Sequence, residues 1–370
     1  MSTRKEFIRQ MLMLSGAAGV SWTVPESLKR AALINPEPGS TYMDAEHVVI
    51  LMQENRSFDH CFGTLQGVRG YNDPRAITQP NGNKVWLQSG KEGQTYAPFR
   101  FDINDTKITW MGSIPHTRHS QIDAWNHGKH DGWIDAKHSG HQKYASIPLT
   151  MGHYSREDLP FNYAMADAFT ICDHNFCALL GPTRPNRLFL FTGTNRSAKN
   201  GDARPILENE GVYHWKTMPE WLEENDVSWR IYQNDISKGG GLTEEQRRWL
   251  ANLGASTNSM EVFSQYNVEF YPRYVESLKN QVAMLPGEIK ALEKKLESRV
   301  AGSDEYKKTK QAIDKKKEVL DDAREGVLKW SPEAFAKLTQ TQKNLFNKAF
   351  TTNAGDPDYR SLTELTYDHN

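Results

Sequence analysis

At 370 residues the chain has room for one large domain or two of ordinary size. Hydrophobic content of 38% and charged content of 25% mark a globular protein and exclude wholesale disorder. The 45 Lys and Arg nearly balance the 46 Asp and Glu, so a net charge of −1 gives no reason to expect a nucleic-acid partner. No apolar run reaches the roughly 18 residues of a membrane span.

In residues 1–33, Arg4 and Lys5 precede Phe7, Ile8 and a short apolar stretch, the charged-then-apolar layout of a signal peptide. This segment resembles a twin-arginine export signal with Lys5 where the second arginine normally stands, and the expectation is a periplasmic or secreted protein. The other reading is an amphipathic first helix.

Residues 47–63 read HVVILMQENRSFDHCFG. The unbroken apolar run at 48–52, bounded by polar clusters, predicts a central parallel strand covered on both faces. Residues 63–105 are rich in Gly, Pro, Asn and Gln and predict a surface excursion with short hairpins, Pro80-Asn81-Gly82-Asn83 marking a turn. Histidines 116, 119, 127, 130, 138, 141 and 153 follow. A helix opening at Pro160, a strand over 169–172, a helix from Thr183, a helix over 217–225 and a buried strand over 227–233 complete an alternation of strands and helices. That alternation predicts an α/β sandwich with a mostly parallel sheet, its catalytic portion spanning 40–270. Cys61, Cys172 and Cys177 fit neither a zinc knuckle nor a disulfide framework and read as buried free thiols, with a Cys172–Cys177 disulfide as the minor alternative.

After residue 271 the pattern changes. Val282, Leu285, Ile289, Leu292 and Leu296 are spaced as the seam of a coiled coil, and Tyr306, Ile313, Leu320 and Val327 recur every seven residues. Between them, Ser303 reads as an N-cap with Asp304 and Glu305 in the first turn. The expectation is a helical hairpin insertion over 271–350, a protruding interaction arm without catalytic chemistry.

Two motifs carry candidate chemistry. Glu54-Asn55 stands at the carboxyl end of the predicted strand, where α/β sheets bind ligands, and its oxygens suit a divalent metal or a phosphate-bearing substrate. The plainer reading is a solvated loop in which Glu54 pairs Arg56. In ALLGPTRPNRLFLFTGT (178–194), Thr183 opens a helix with Pro185 in its first turn. It is either a simple N-cap or a hydroxyl placed among oriented N–H groups, able to attack phosphorus beside a metal. Arg187, one turn along, is able to clamp phosphate oxygens.

Together, HVVILMQENRSFDHCFGTLQGVRGYNDP and ALLGPTRPNRLFLFTG resemble the bacterial phosphoesterase family of non-haemolytic phospholipases C and acid phosphatases, most closely its phosphocholine-preferring branch. The resemblance implies an alkaline-phosphatase-like α/β fold and one divalent metal ion held by Glu54, Asn55 and Thr183. It implies a Thr183 nucleophile that forms a phospho-enzyme, and substrate contacts from Arg187 and Asn186. SIPHTRHSQIDAWNHGKHDGWI resembles the family's Pro-His segment, which makes His116 the phosphate-binding or proton-donating histidine; the other histidines read as structural. Trp125 and Trp133 read as core, with a choline site as the alternative. The implied substrate is a phospholipid or phosphocholine ester, which would bring the protein to a membrane surface. An acid phosphatase, or an inactive interaction module, remains open. Family members run much longer, and residues 351–370 resemble only the start of their second half, so the expectation is an incomplete catalytic domain.

Overall fold

The computed structural model describes residues 37–53, 55–104, 113–195, 206–207, 211–233, 236 and 258–352. The expected export signal, Glu54 and nearly all of 351–370 lie outside them. The chain divides into two compact units, Met1–Thr183 and Arg184–Asn370.

In the first unit, Ser57 caps the short helix α1 (Phe58–Phe62) through its hydroxyl, which accepts from the His60 N–H. The predicted excursion then contains a turn closed by Gln79 N–H to Asn83 carbonyl (2.8 Å), followed by an antiparallel hairpin of β1 (Gln88–Ser89) and β2 (Thr95–Tyr96). Strand β3 (Phe99–Arg100) precedes α2 (Arg118–Trp125) and α3 (Trp133–Ala136), and pairs in parallel with β4 (Gly152–His153). Helix α4 (Pro160–Ala168) opens on proline at N1, as its sequence requires. The core of this unit is Phe101 and Leu149, packed by Phe99, Ile114, Tyr144, Ile147 and Tyr154.

Fastening these pieces is the Asp158 carboxylate, whose side chain is wholly buried. It accepts from Arg100 Nε (2.9 Å) and Nη2 (3.0 Å) and from the Ser155 backbone N–H and hydroxyl (both 2.7 Å). Burial alone would raise its pKa; Arg100 and Ser155 override this and hold it far below the usual carboxylate range.

The second unit begins within α5 (Thr183–Thr192), and α6 (Met218–Glu224) follows. Thr217 and Glu220 cap α6 reciprocally. Strand β5 (Tyr232–Gln233) precedes two long helices, α7 (Pro272–Glu297) and α8 (Asp304–Lys329), the latter capped by Ser303. They pack as a helical pair with Leu285, Ile289, Ile313 and Leu320 buried between them. Short helices α9 (Pro332–Ala336) and α10 (Gln340–Ala349) lead to β6 (Thr351–Thr352), which pairs in parallel with β5. The main core gathers Leu188, Tyr213, Met260, Phe263, Tyr266 and Leu345. Glu223 ties α6 to α10 by accepting from Asn344 Nδ2 (2.6 Å) and Lys348.

The architecture is mixed α/β, with parallel pairing in two of the three two-stranded sheets found among the described residues. The strand expectations are corrected here. Residues 48–52 form no ladder among the described residues, and their side chains are between 43% and 88% exposed. Residues 169–172 form no strand either, and of 227–233 only Tyr232–Gln233 does, with Val227 and Tyr232 exposed. A strand covered on both faces needs neighbouring strands, and none of the described residues supplies them. The cysteines are free as expected, but Cys172 and Cys177 are exposed, not buried, because the segment that carries them joins no sheet.

At Gly152 a Cβ would fall 1.9 Å from the Phe101 ring, so this pairing of β3 with β4 admits only glycine. Gly152→Ala is expected to cost about 1–3 kcal/mol of stability through overpacking, read as an earlier urea midpoint with an unchanged slope.

Candidate functional site

Residues 48–53 belong to no helix or strand, and Gln53 Oε1 accepts from Asn162 Nδ2 on α4 (3.4 Å). Asn55 has φ +65, a left-handed conformation that asparagine tolerates better than most side chains. The Asn55 carbonyl accepts from Arg56 Nη1 (2.8 Å). Asn55 and Arg56 thus lead through the Ser57 cap into α1. Glu54, the first of the expected ligands, lies outside the described residues, so the structure describes Asn55 without its carboxylate neighbour.

Thr183 is the first residue of α5, as its sequence requires, and is half-buried behind buried Pro182 and ahead of buried Pro185. Its hydroxyl therefore starts at the positive end of a ten-residue helix. Asn186 and Arg187 follow on the same helix, Arg187 buried and one turn beyond Thr183.

His116 is exposed, its Nδ1 3.2 Å from the Ile114 carbonyl. Two residues on, Arg118 Nη1 donates to the Leu180 carbonyl at 2.9 Å, three residues before Thr183. This bond lays the segment bearing His116 against the approach to α5. Lys137, buried, steadies the same segment by donating to the Pro115 carbonyl (2.8 Å) and the Ser120 hydroxyl (3.0 Å), and burial pulls its pKa down to about 8. Neither Arg118 nor Lys137 is legible from sequence, since each acts on a carbonyl distant along the chain.

Three of the remaining histidines have separate local partners. His119 faces Asp123 along α2 (3.3 Å), His138 Nδ1 lies 2.9 Å from the Asp135 carbonyl, and His141 stacks near Tyr144. Among the described residues no group of three His, Cys, Asp or Glu is arranged to hold a metal. The expected donors Glu54, Asn55 and Thr183 are all oxygens and so suit a hard divalent cation in kind, but such cations generally take about six. The described residues alone do not complete a metal centre.

A second polar cluster lies between α1 and β4. His60 Nδ1 is 2.8 Å from the Gly152 carbonyl, and its ring packs edge-on against Tyr154 and Phe101. His153 packs against Tyr71, whose hydroxyl donates to the Asp59 carbonyl (3.2 Å). Burial lowers the pKa of His60, and nearby Arg56 adds to this; burial and then His60 itself lower that of His153. Burial raises those of Asp59, Cys61 and Tyr71.

With this geometry in hand, comparison with known proteins is direct. The profile of the phosphoesterase family matches residues 45–286. The chain belongs to the phosphoesterase family. It is similar to the hemolytic phospholipase C of Pseudomonas aeruginosa, 38% identical over 252 residues, 65% of this chain and 32% of that protein. To the non-hemolytic phospholipase C of Burkholderia pseudomallei it is 39% identical over 271 residues, 71% of this chain and 37% of the relative. To phospholipase C B of Mycobacterium tuberculosis it is 35% identical over 244 residues, 63% and 46%. The chain thus spans between 32% and 46% of these relatives' lengths. The matched region of this phosphoesterase takes in Asn55, His116, Thr183, Asn186 and Arg187 and leaves out most of the α7–α8 pair.

The histidine cluster gives a pH prediction. A histidine held neutral in the fold binds more protons when unfolded, so its contribution is complete above the ordinary value of 6.5 and is lost as pH falls below it. Thermal unfolding followed by circular dichroism should therefore shift to lower temperature between about pH 7 and pH 5, and His60→Gln should flatten that dependence.

Proposed function

We propose that this phosphoesterase is a phospholipase C-type phosphodiester hydrolase that releases phosphocholine from a phospholipid through a phospho-threonine intermediate on Thr183. The relatives named phospholipase C support the reaction class. The observation that carries the assignment of roles is the position of Thr183 at the start of α5, with the His116 segment fastened three residues upstream by Arg118.

In this reading the Thr183 hydroxyl oxygen attacks phosphorus and its proton passes to water. The bond from phosphorus to the glycerol oxygen breaks, and His116 gives that oxygen a proton, so diacylglycerol leaves. The phosphocholine group stays on Thr183 until water, deprotonated by His116, attacks phosphorus; the bond from phosphorus to the Thr183 oxygen breaks, that oxygen takes back a proton from water, and phosphocholine leaves. The N–H groups at the start of α5 and the Arg187 guanidinium stabilise the phosphoryl oxygens, with Asn186 as a further polar contact. A divalent cation held by Glu54, Asn55 and Thr183 would add positive charge to the same oxygens. The proposal includes an alkaline-phosphatase-like sheet as the platform and export as the route to substrate.

Release of a chromogenic alcohol from a phosphocholine diester by the full chain, with a divalent cation added, tests this. Thr183→Ala should lower the rate at least about a thousandfold, and Thr183→Ser should recover part of it. Preference for a simple phosphomonoester would favour the phosphatase reading, and a Thr183→Ala rate near that of the unaltered chain would refute the nucleophile.

A further inference from the structure

The α7–α8 pair is the largest feature that the proposed chemistry leaves unused. Each helix has 26 residues and so a length of about 39 Å. Its charge is polarised along that length. Between residues 285 and 317 stand ten Lys and Arg against six Asp and Glu, a net charge of +4 within a chain whose total is −1.

Ion pairing between the helices sharpens the imbalance. Glu288 takes Lys316 (2.6 Å) and Glu293 takes Lys317 (2.7 Å) across the pair, and Glu305 takes Arg299 of the connecting turn, so three of the six acids already hold a cation. Lys290, Lys294, Lys295, Lys307 and Lys308 are exposed and pair with no carboxylate among the described residues. The exposed acids left within this stretch are Glu297, Asp304 and Asp314, and exposed Glu318 directly follows it. Lys290, Lys294 and Lys295 share the outward side of α7 with Ala283, Gly287 and Ala291, small residues that let the helix approach a surface closely while the longer lysines reach past it.

At the far end of the pair the connecting turn carries Val300, 79% exposed, followed by Ala301 and Gly302. A basic face that ends in an exposed apolar tip matches a surface with negative charge outside and hydrocarbon beneath. A purely polar polyanion would match the lysines and leave Val300 unused.

We infer that the α7–α8 pair is a docking arm for an anionic lipid bilayer, its lysines on the headgroups and Val300 between them. This goes beyond the hydrolase proposal, and it is read without turnover.

Co-sedimentation of the full chain with phosphatidylglycerol–phosphatidylcholine vesicles, against vesicles of phosphatidylcholine alone, tests it. The chain is expected to bind the anionic vesicles and to release them in about 1 M salt. Reversal of three exposed lysines, K290E/K294E/K295E, should weaken binding at least about a hundredfold, with circular dichroism confirming that the helices persist. Val300→Ser should weaken vesicle binding severalfold. Thr183→Ala should bind vesicles like the unaltered chain, which separates failure of the hydrolase reading from failure of this one. Equal binding to neutral vesicles, undiminished binding by the triple variant, or capture of polyglutamate without vesicles would overturn the inference.

Discussion

One carboxylate holds the first unit together. Asp158 is wholly buried and satisfied from three directions, by Arg100 on β3, by the Ser155 backbone and hydroxyl, and by the Ile103 N–H. A buried charge is tolerable only when its oxygens are saturated with donors, and here that saturation draws β3 and the segment before α4 onto one point. The β3–β4 pairing follows, and with it the position of Gly152, whose carbonyl receives His60. Through His60 the same network reaches α1 and the left-handed Asn55 at the end of the apolar run. Among the described residues, Asn55 and the segment that follows it are therefore positioned from Asp158 outward by hydrogen bonds.

What was legible in the sequence was local. Pro160, Thr183, Thr217 and Ser303 each announce a helix through chemistry confined to its first turn, and helices begin there. Part of the buried seam of α7 and α8 could be read from spacing, because a helix sets its own periodicity: Leu285, Ile289, Ile313 and Leu320 are buried there, while Tyr306 and Val327 lie outside that cluster. The strands could not. Apolar content at 48–52 specifies what a strand would bury, but pairing depends on residues distant in sequence, and the described residues provide no neighbour for it. The same holds at 169–172, and it leaves Cys172 exposed where composition argued for burial.

The candidate site divides along the same line. Thr183 could be placed from its flanking prolines. The contact that gives it a neighbour, Arg118 on the Leu180 carbonyl, joins residues 62 positions apart and has no sequence signature. His60 lay inside the quoted motif without being singled out, since only the fold shows that it faces a carbonyl 92 residues away. The lysines of the helical pair were visible as composition, but which of them stay unpaired follows from the register of two packed helices.

The central claim is covalent: Thr183 carries the phosphoryl group during turnover. Rapid acid quench of the full chain with a phosphocholine diester, followed by peptide mass spectrometry, reads it directly. The account predicts a phosphocholine adduct on the peptide that contains Thr183, absent before substrate is added and absent in Thr183→Ala. Turnover with no adduct on that peptide, or with the adduct on another residue, would contradict it.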